Sequence, residues 1–258
     1  MNSYRSVFIS DIHLGTKMSQ ADQLLEFMKT FECEKIYLVG DIIDCWAMSK
    51  KKIWNQYHSD VVQKLLRRAR KGVEVVYIPG NHDDLMREYC DAEFGHIILV
   101  EECIHVSVDG KLYLVTHGDQ FDIVMKNAQW LAHLGSWAYD VSINIGRWVS
   151  KIRSKFNLPH WSLSSYLKHT VKESVNFIGD YETTLSNYVK GKKLDGIICG
   201  HIHHANIRDI DGIRYMNCGD WVESCTALVE HHDGRFEIIK WSNHVGTISD
   251  SGTQQRPD

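Results

Sequence analysis

The sequence predicts an α/β fold, a sandwich of helices around inner strands, broken once by a helical insertion. Three observations predict it. Short β-branched runs alternate with amphipathic helical patterns over the first 120 residues. A strand pattern resumes in the last third, and the stretch between keeps helical spacing without strands.

Taken in order, Val7–Ser10, Ile36–Val39, Val73–Ile78 and Leu112–Thr116 are apolar runs of strand length. Between them, Ala21–Phe31 sets Leu24, Leu25, Phe27, Met28 and Phe31 at helical spacing. Val61–Ala69 does the same with Val61, Val62, Leu65, Leu66 and Ala69, which turns Arg67, Arg68 and Arg70 to solvent. Strands separated by helices of this length form βαβ units, hence a largely parallel inner sheet. From about Phe121 to Lys193 the pattern is helical, interrupted at Asn157-Leu-Pro159, with four of the eight tryptophans: Trp130, Trp137, Trp148 and Trp161. Strands return at Gly196–Cys199, Ile213–Met216, Cys225–Val229 and Phe236–Trp241. The turns Asp209-Ile-Asp-Gly212 and His232-Asp-Gly234 make that end antiparallel. The expected organisation is a core over 1–120 and 194–242, a helical cap insertion over 121–193, and a disordered polar tail over 243–258.

The bulk numbers exclude several classes. Of 258 residues, 43% are hydrophobic and 24% charged, ordinary for a globular chain with a real core. Twenty-nine basic against thirty-three acidic residues leave −4, so there is no general attraction to nucleic acid. No apolar run approaches the ~20 residues of a membrane span, and the start carries no secretory apolar region. Seven cysteines without a C-x-x-C pair are expected as reduced thiols, which places the protein in the cytosol.

The chemistry sits in five groups, each just after an expected strand: Asp11-Ile-His13, Gly40-Asp41-Ile-Ile-Asp44, Gly80-Asn81-His82-Asp83, His117-Gly-Asp119 and Gly200-His201-Ile-His203. Open α/β sheets bind ligands at the carboxyl ends of their strands, so the five converge on one edge. Two carboxylates, an amide oxygen and four imidazoles suit manganese, iron or zinc better than calcium or magnesium. Seven side chains are too many for one catalytic ion with open positions. They suit two, about 3.5–4 Å apart and sharing a carboxylate, and such a pair attracts phosphoryl oxygens.

The five motifs in this order resemble those of the calcineurin-like metallophosphoesterase family, over roughly residues 5–120 and 195–241. The resemblance implies a metallophosphoesterase-type αββα sandwich of mixed sheets with a helical cap insertion, and a phosphohydrolase activity. It implies that Asp11, His13 and His203 hold one metal ion, that Asn81, His117 and His201 hold the other, and that Asp41 bridges. His82 then contacts phosphate or protonates the leaving group. Asp44 and Asp83 orient ligand histidines. Some proteins of this fold serve as binding scaffolds; all seven ligand positions and His82 are filled here, which favours an enzyme.

Length and insertion are similar to the UDP-2,3-diacylglucosamine hydrolase branch, whose members cleave a nucleotide-linked lipid to UMP with Mn²⁺ in lipid A biosynthesis. From Arg147 to Lys193 nine basic residues face three acidic ones, and Arg147, Lys151 and Lys155 line one side of an amphipathic helix over Ile145–Phe156. Such a helix packs on the domain or lies at an anionic membrane surface, which would add a peripheral membrane location at the inner face. Arg147 and Lys151, with Asp119 and Asp122 beside His117, are the candidate substrate contacts. Two departures from the branch stand out. His82 occupies a position that typically carries arginine, and Asn217–Thr226 does not match. A metallophosphodiesterase of another substrate is the alternative.

Overall fold

The computed structural model describes residues 2–124, 177–179, 181–241 and 246–248. It divides into two compact units, Met1–Asp119 with Glu182–Asp258, and Gln120–Tyr181. The first unit is built on two sheets. One contains β1 (Asn2–Ile9), β2 (Phe31–Val39), β3 (Glu74–Ile78), β4 (Glu93–Phe94), β5 (Ile97–Leu99), β11 (Thr226–Glu230), β12 (Phe236–Lys240) and β13 (Gly246–Ile248), in the order β13-β12-β11-β1-β2-β3-β5-β4. The other contains β6 (Cys103–Val106), β7 (Leu112–Val115), β8 (Gly196–Cys199), β9 (Asn206–Ile210) and β10 (Ile213–Asn217), in the order β6-β7-β8-β10-β9. The inner pairs β1–β2, β2–β3, β3–β5, β7–β8 and β8–β10 are parallel, and the flanks are antiparallel. The sheets are thus mixed, as the αββα arrangement requires.

Both faces of the first sheet are buried, which is why its strands read as unbroken apolar runs. Val7, Ile9, Ile36, Leu38, Val75 and Tyr77 pack against Leu24, Phe27 and Met28 around α1 (Ala21–Phe27) and Val61 and Leu65 of α3 (Gln56–Arg70). Phe8, Tyr37, Val39, Val76 and Ile78 on the alternate face meet Tyr113, Val115, Ile198 and Met216 of the second sheet. Helical residues 182–191 are tied to β9 through Glu182, which accepts from Asn206 and Arg208. Residues 182–191 therefore belong to the first unit rather than to the insertion expected over 121–193. Most of that insertion, with Arg147 and Lys151, lies outside the described residues.

Several local expectations change. α1 ends at Phe27 and Phe31 opens β2, its ring 4.8 Å from Phe27, so its apolar spacing is used from the strand. Arg68, expected in solvent, is buried: its guanidinium donates to the carbonyls of Met28 and Phe31 at 2.6 Å and lies 4.4 Å over the Phe31 ring. The Met28 carbonyl lies at the end of α1 and the Phe31 carbonyl opens β2, and an arginine from the neighbouring helix donates to both. Asp211 and Gly212 (φ 50° and 83°) close β9 onto β10 as a two-residue hairpin. The disordered tail expected from residue 243 is corrected at Gly246–Ile248, which pairs antiparallel along the open edge of β12.

Candidate metal centre

The five sequence groups meet at one edge. Asp11 and His13 follow β1, Asp41 and Asp44 follow β2, Asn81 and His82 follow β3, His117 follows β7, and His201 and His203 follow β8. The loops after β1 and β2 run side by side: the amides of Asp11, His13 and Leu14 donate to the carbonyls of Gly40, Asp41 and Ile42. This brings together three groups whose ligand atoms lie within 4.8 Å of one another: Asp11, His13 and His203; His13, Asp41 and His82; Asp41, His117 and His201. The groups share His13 and Asp41.

Five of these residues hold left-handed backbone: Asp11 (φ 52°), His13 (50°), Asp41 (54°), His201 (72°) and His203 (51°). They are half of the ten non-glycine residues in that region among the described residues. Such backbone costs a non-glycine residue about 1–3 kcal/mol and clusters at functional sites. The motif glycines leave room for the ligands. A Cβ on Gly40 would fall 2.1 Å from His117 Nδ1, and one on Gly80 would fall 2.3 Å from Asp41 Oδ1. Gly200 is as tight, with its Cβ 2.6 Å from Asp11 Oδ2.

The imidazoles are oriented by their far nitrogens. His13 Nδ1 donates to Asp44 Oδ2 at 3.0 Å, which turns Nε2 toward Asp41 Oδ2, 3.7 Å away. His117 Nδ1 donates to the Val39 carbonyl at 3.0 Å, which leaves the Nε2 lone pair 3.5 Å from Asp41 Oδ1. A carbonyl only accepts, so it fixes the tautomer with an acceptor at Nε2. The buried atoms here without a hydrogen-bond partner include Asp11 Oδ1, His13 Nε2, Asn81 Oδ1 and His117 Nε2. Buried polar groups are rarely left unsatisfied. Four converging on carboxylates and imidazoles fit a cation, so the donor set passes the test for divalent metal.

Charge is distributed accordingly. Burial would raise the pKa of Asp41, but His117, His13 and His82 outweigh it and hold the carboxyl well below its usual range. Burial opposes charge on His117 and His203, yet Asp41 lifts His117 to about 10 and Asp11 lifts His203 to about 9. His82 Nδ1 lies 3.0 Å from Asp44 Oδ2, and its ring sits 4.7 Å from that of half-exposed Trp46, which the sequence analysis did not single out. Burial lowers the His82 pKa, and Asp44 with Asp41 more than restores it, so it rises above the ordinary histidine value.

One expectation needs correction, and a second gains a partner. Asp83 touches no histidine. Its carboxylate accepts from the amides of Ile42 (2.8 Å), Asp41 (3.3 Å) and Gly80 and from the Tyr77 hydroxyl, so it ties the ends of β2 and β3 together. Asp119 is no free carboxylate: Arg87 Nη2 donates to both its oxygens, at 2.8 and 2.7 Å. The side chain of Asp122 lies outside the described residues, as do Arg147 and Lys151. The divergent stretch Asn217–Thr226 backs the site: Asn217 Nδ2 donates to Gly200 O at 2.7 Å, and the Trp221 amide donates to Asp11 O at 3.0 Å.

The family model of calcineurin-like phosphoesterases matches residues 4–205. Among curated proteins, a UDP-2,3-diacylglucosamine hydrolase of Histophilus somni is 30% identical over 252 residues, covering 91% of this chain and 99% of that protein. A UDP-2,3-diacylglucosamine hydrolase of Porphyromonas gingivalis is 23% identical, covering 83% and 89%. Among solved structures, the phosphoesterase Yfce from E. coli aligns at 15% identity and a TM-score of 0.47, covering 95% of this chain and 96% of that one.

Proposed function

The chain belongs to the calcineurin-like phosphoesterase family, and we propose that it hydrolyses the diphosphate of a UDP-2,3-diacylglucosamine-type nucleotide lipid, releasing UMP. It is a phosphohydrolase by membership; the substrate, the ions and the residue roles are what we infer. The observation that carries the reading is the run of three His/Asp groups linked through Asp41 and His13. The substrate class is supported by a relative of that name aligned over 99% of its own length.

Asp11, His13 and His203 would hold one divalent ion and Asn81, His117 and His201 the other, with Asp41 shared; manganese is the expected ion, with iron or zinc compatible with the same donors. When bound, the ions would supply Lewis acidity toward the phosphoryl oxygens and lower the pKa of water at the site. The chain's own residues do the rest. Asp44 and the Val39 carbonyl hold His13 and His117 with Nε2 directed inward. His82, on the partly exposed rim, faces Asp44 through Nδ1, and in its doubly protonated form, which burial opposes but Asp44 and Asp41 favour, would offer the Nε2 proton to the leaving phosphate. Asp119 would meet substrate only as part of its pair with Arg87.

The reading includes a cytoplasmic location at the inner membrane face. Seven free thiols support a reducing compartment, and the basic sequence pattern over Ile145–Phe156, which lies outside the described residues, supports the lipid surface. Among the described residues, no helix is long and apolar enough to cross a membrane. The test is hydrolysis of UDP-2,3-diacylglucosamine to UMP in detergent with added Mn²⁺, against bis-p-nitrophenyl phosphate. Inactivity on the first with turnover of the second would favour the second reading, a metallophosphodiesterase of another substrate, to which histidine at position 82 points.

A further inference from the structure

Away from the metal centre, two cavities adjoin between α3 and the β4–β5 hairpin. One, of about 380 Å³, presents no polar atom; Val62, Leu66, Met86, Tyr89, Phe94 and Ile97 are among its walls. The second, of about 430 Å³, is lined by Gln63, Arg67, Arg70, Gly95 and His96 and shares Leu66 with the first. Gly95 and His96 (φ 58° and 68°) form the two-residue turn between β4 and β5, and a Cβ on Gly95 would fall 2.9 Å from Leu66 Cδ2. Glycine there lets the hairpin close on α3 without displacing the Leu66 side chain.

The apolar cavity is within the roughly 300–1,000 Å³ of small-molecule sites, and a cavity without polar atoms does not hold water well. Its mouth is apolar too: Phe94 and Tyr89 are each 52% exposed and Leu66 is 39% exposed. An exposed apolar patch opening on an apolar cavity marks a ligand site. The charge beside it is positive. Arg67 donates to Gln63 at 3.0 Å, and neither Arg67 nor Arg70 has an ion-pair partner among the described residues. His96 is already matched by Glu93 at 3.2 Å. Two guanidinium forks at the rim suit a carboxylate, and a cavity of this size suits one alkyl chain.

We propose that this cleft binds a long-chain fatty acid, its chain in the apolar cavity and its carboxylate against Arg67 and Arg70. The inner wall of the cavity reaches Ile42 and Ile43, next in sequence to Asp41 and Asp44, but no residue assigned to metal lines it, and the proposal does not depend on the proposed substrate.

The full-length protein is titrated with cis-parinarate below its micellar concentration, and its fluorescence gain is followed. Saturable binding is expected, with saturated fatty acids displacing the probe about fourfold more tightly per added methylene until the cavity is full. Arg67→Glu with Arg70→Glu should weaken parinarate about tenfold or more while leaving its methyl ester unchanged. Phe94→Asp should weaken both. All three residues are exposed, so the variants should keep the fold and the metal-dependent hydrolysis of bis-p-nitrophenyl phosphate. Non-saturable binding overturns the proposal, as does parinarate affinity unchanged by the double arginine variant. Neither result bears on the metal centre.

Discussion

Asp44 gives its two oxygens different work. Oδ1 accepts from the Ala47 amide and caps α2 (Cys45–Lys50), while Oδ2 lies 3.0 Å from the Nδ1 atoms of both His13 and His82. Asp44→Asn keeps the cap acceptor but offers the imidazoles a weaker partner. Metal affinity should fall about 10–100-fold, read by titration with elemental analysis. His82→Ala should separate from it: metal content persists while turnover falls roughly 10²–10⁴-fold. Equal losses in both quantities would make His82 a ligand, which its place beside His13 and Asp41 permits. The cluster of His and Asp side chains was legible because each motif is short and follows its own strand. Asp83 was not, because its partners are backbone amides that reach it only when β2 and β3 pair. The pairing of Asp119 with Arg87, 32 residues away, is equally a product of the fold.

At the level of elements, the buried strands were legible because burial on both faces writes itself as β-branched runs. The short, half-exposed strands β4, β5, β6 and β9 have burial patterns too weak for such a signature. Arg68 shows why helical spacing alone misleads: position on a wheel says nothing of carbonyls waiting on the adjacent helix. Arg68→Ala leaves two buried carbonyls unmatched and should cost about 2–3 kcal/mol, seen as a lower urea midpoint at unchanged slope. Arg68→Lys should restore only part of it, since Nη2 alone serves both carbonyls but an ammonium gives up the planar stacking over Phe31 and the Nη1 contact with Cys33 Sγ.

Across the whole molecule, the proposed ligands come from both sheets, so ions that bind the folded form alone should stabilise the sandwich. Mn²⁺ at about 100 times its Kd should add roughly 2.7 kcal/mol, or about 5–10 °C in Tm, reversed by chelation. Without metal, pH enters through the same residues. The raised pKa values of His117 and His203 mean that their protons stabilise the fold fully below about 6.5, a contribution lost as pH climbs through about 9 and 10. The lowered pKa values of Asp11, Asp41 and Asp44 act oppositely, stabilising above the ordinary carboxylate range and failing as pH falls below it. The chelated protein should therefore lose Tm between pH 7 and 10, and the loaded protein should not, because ligated imidazoles carry no proton there. Metal uptake at pH 7 should release protons, measurable by calorimetry in buffers of different ionisation enthalpy. The left-handed turns carry a further consequence. At Asp11, His13, Asp41, His201 and His203, a chain under selection only to fold would drift toward glycine, which is relaxed in those conformations. This chain carries acidic and imidazole side chains at all five, so its fold bears a tension that glycine would release and that only the chemistry of those side chains can offset.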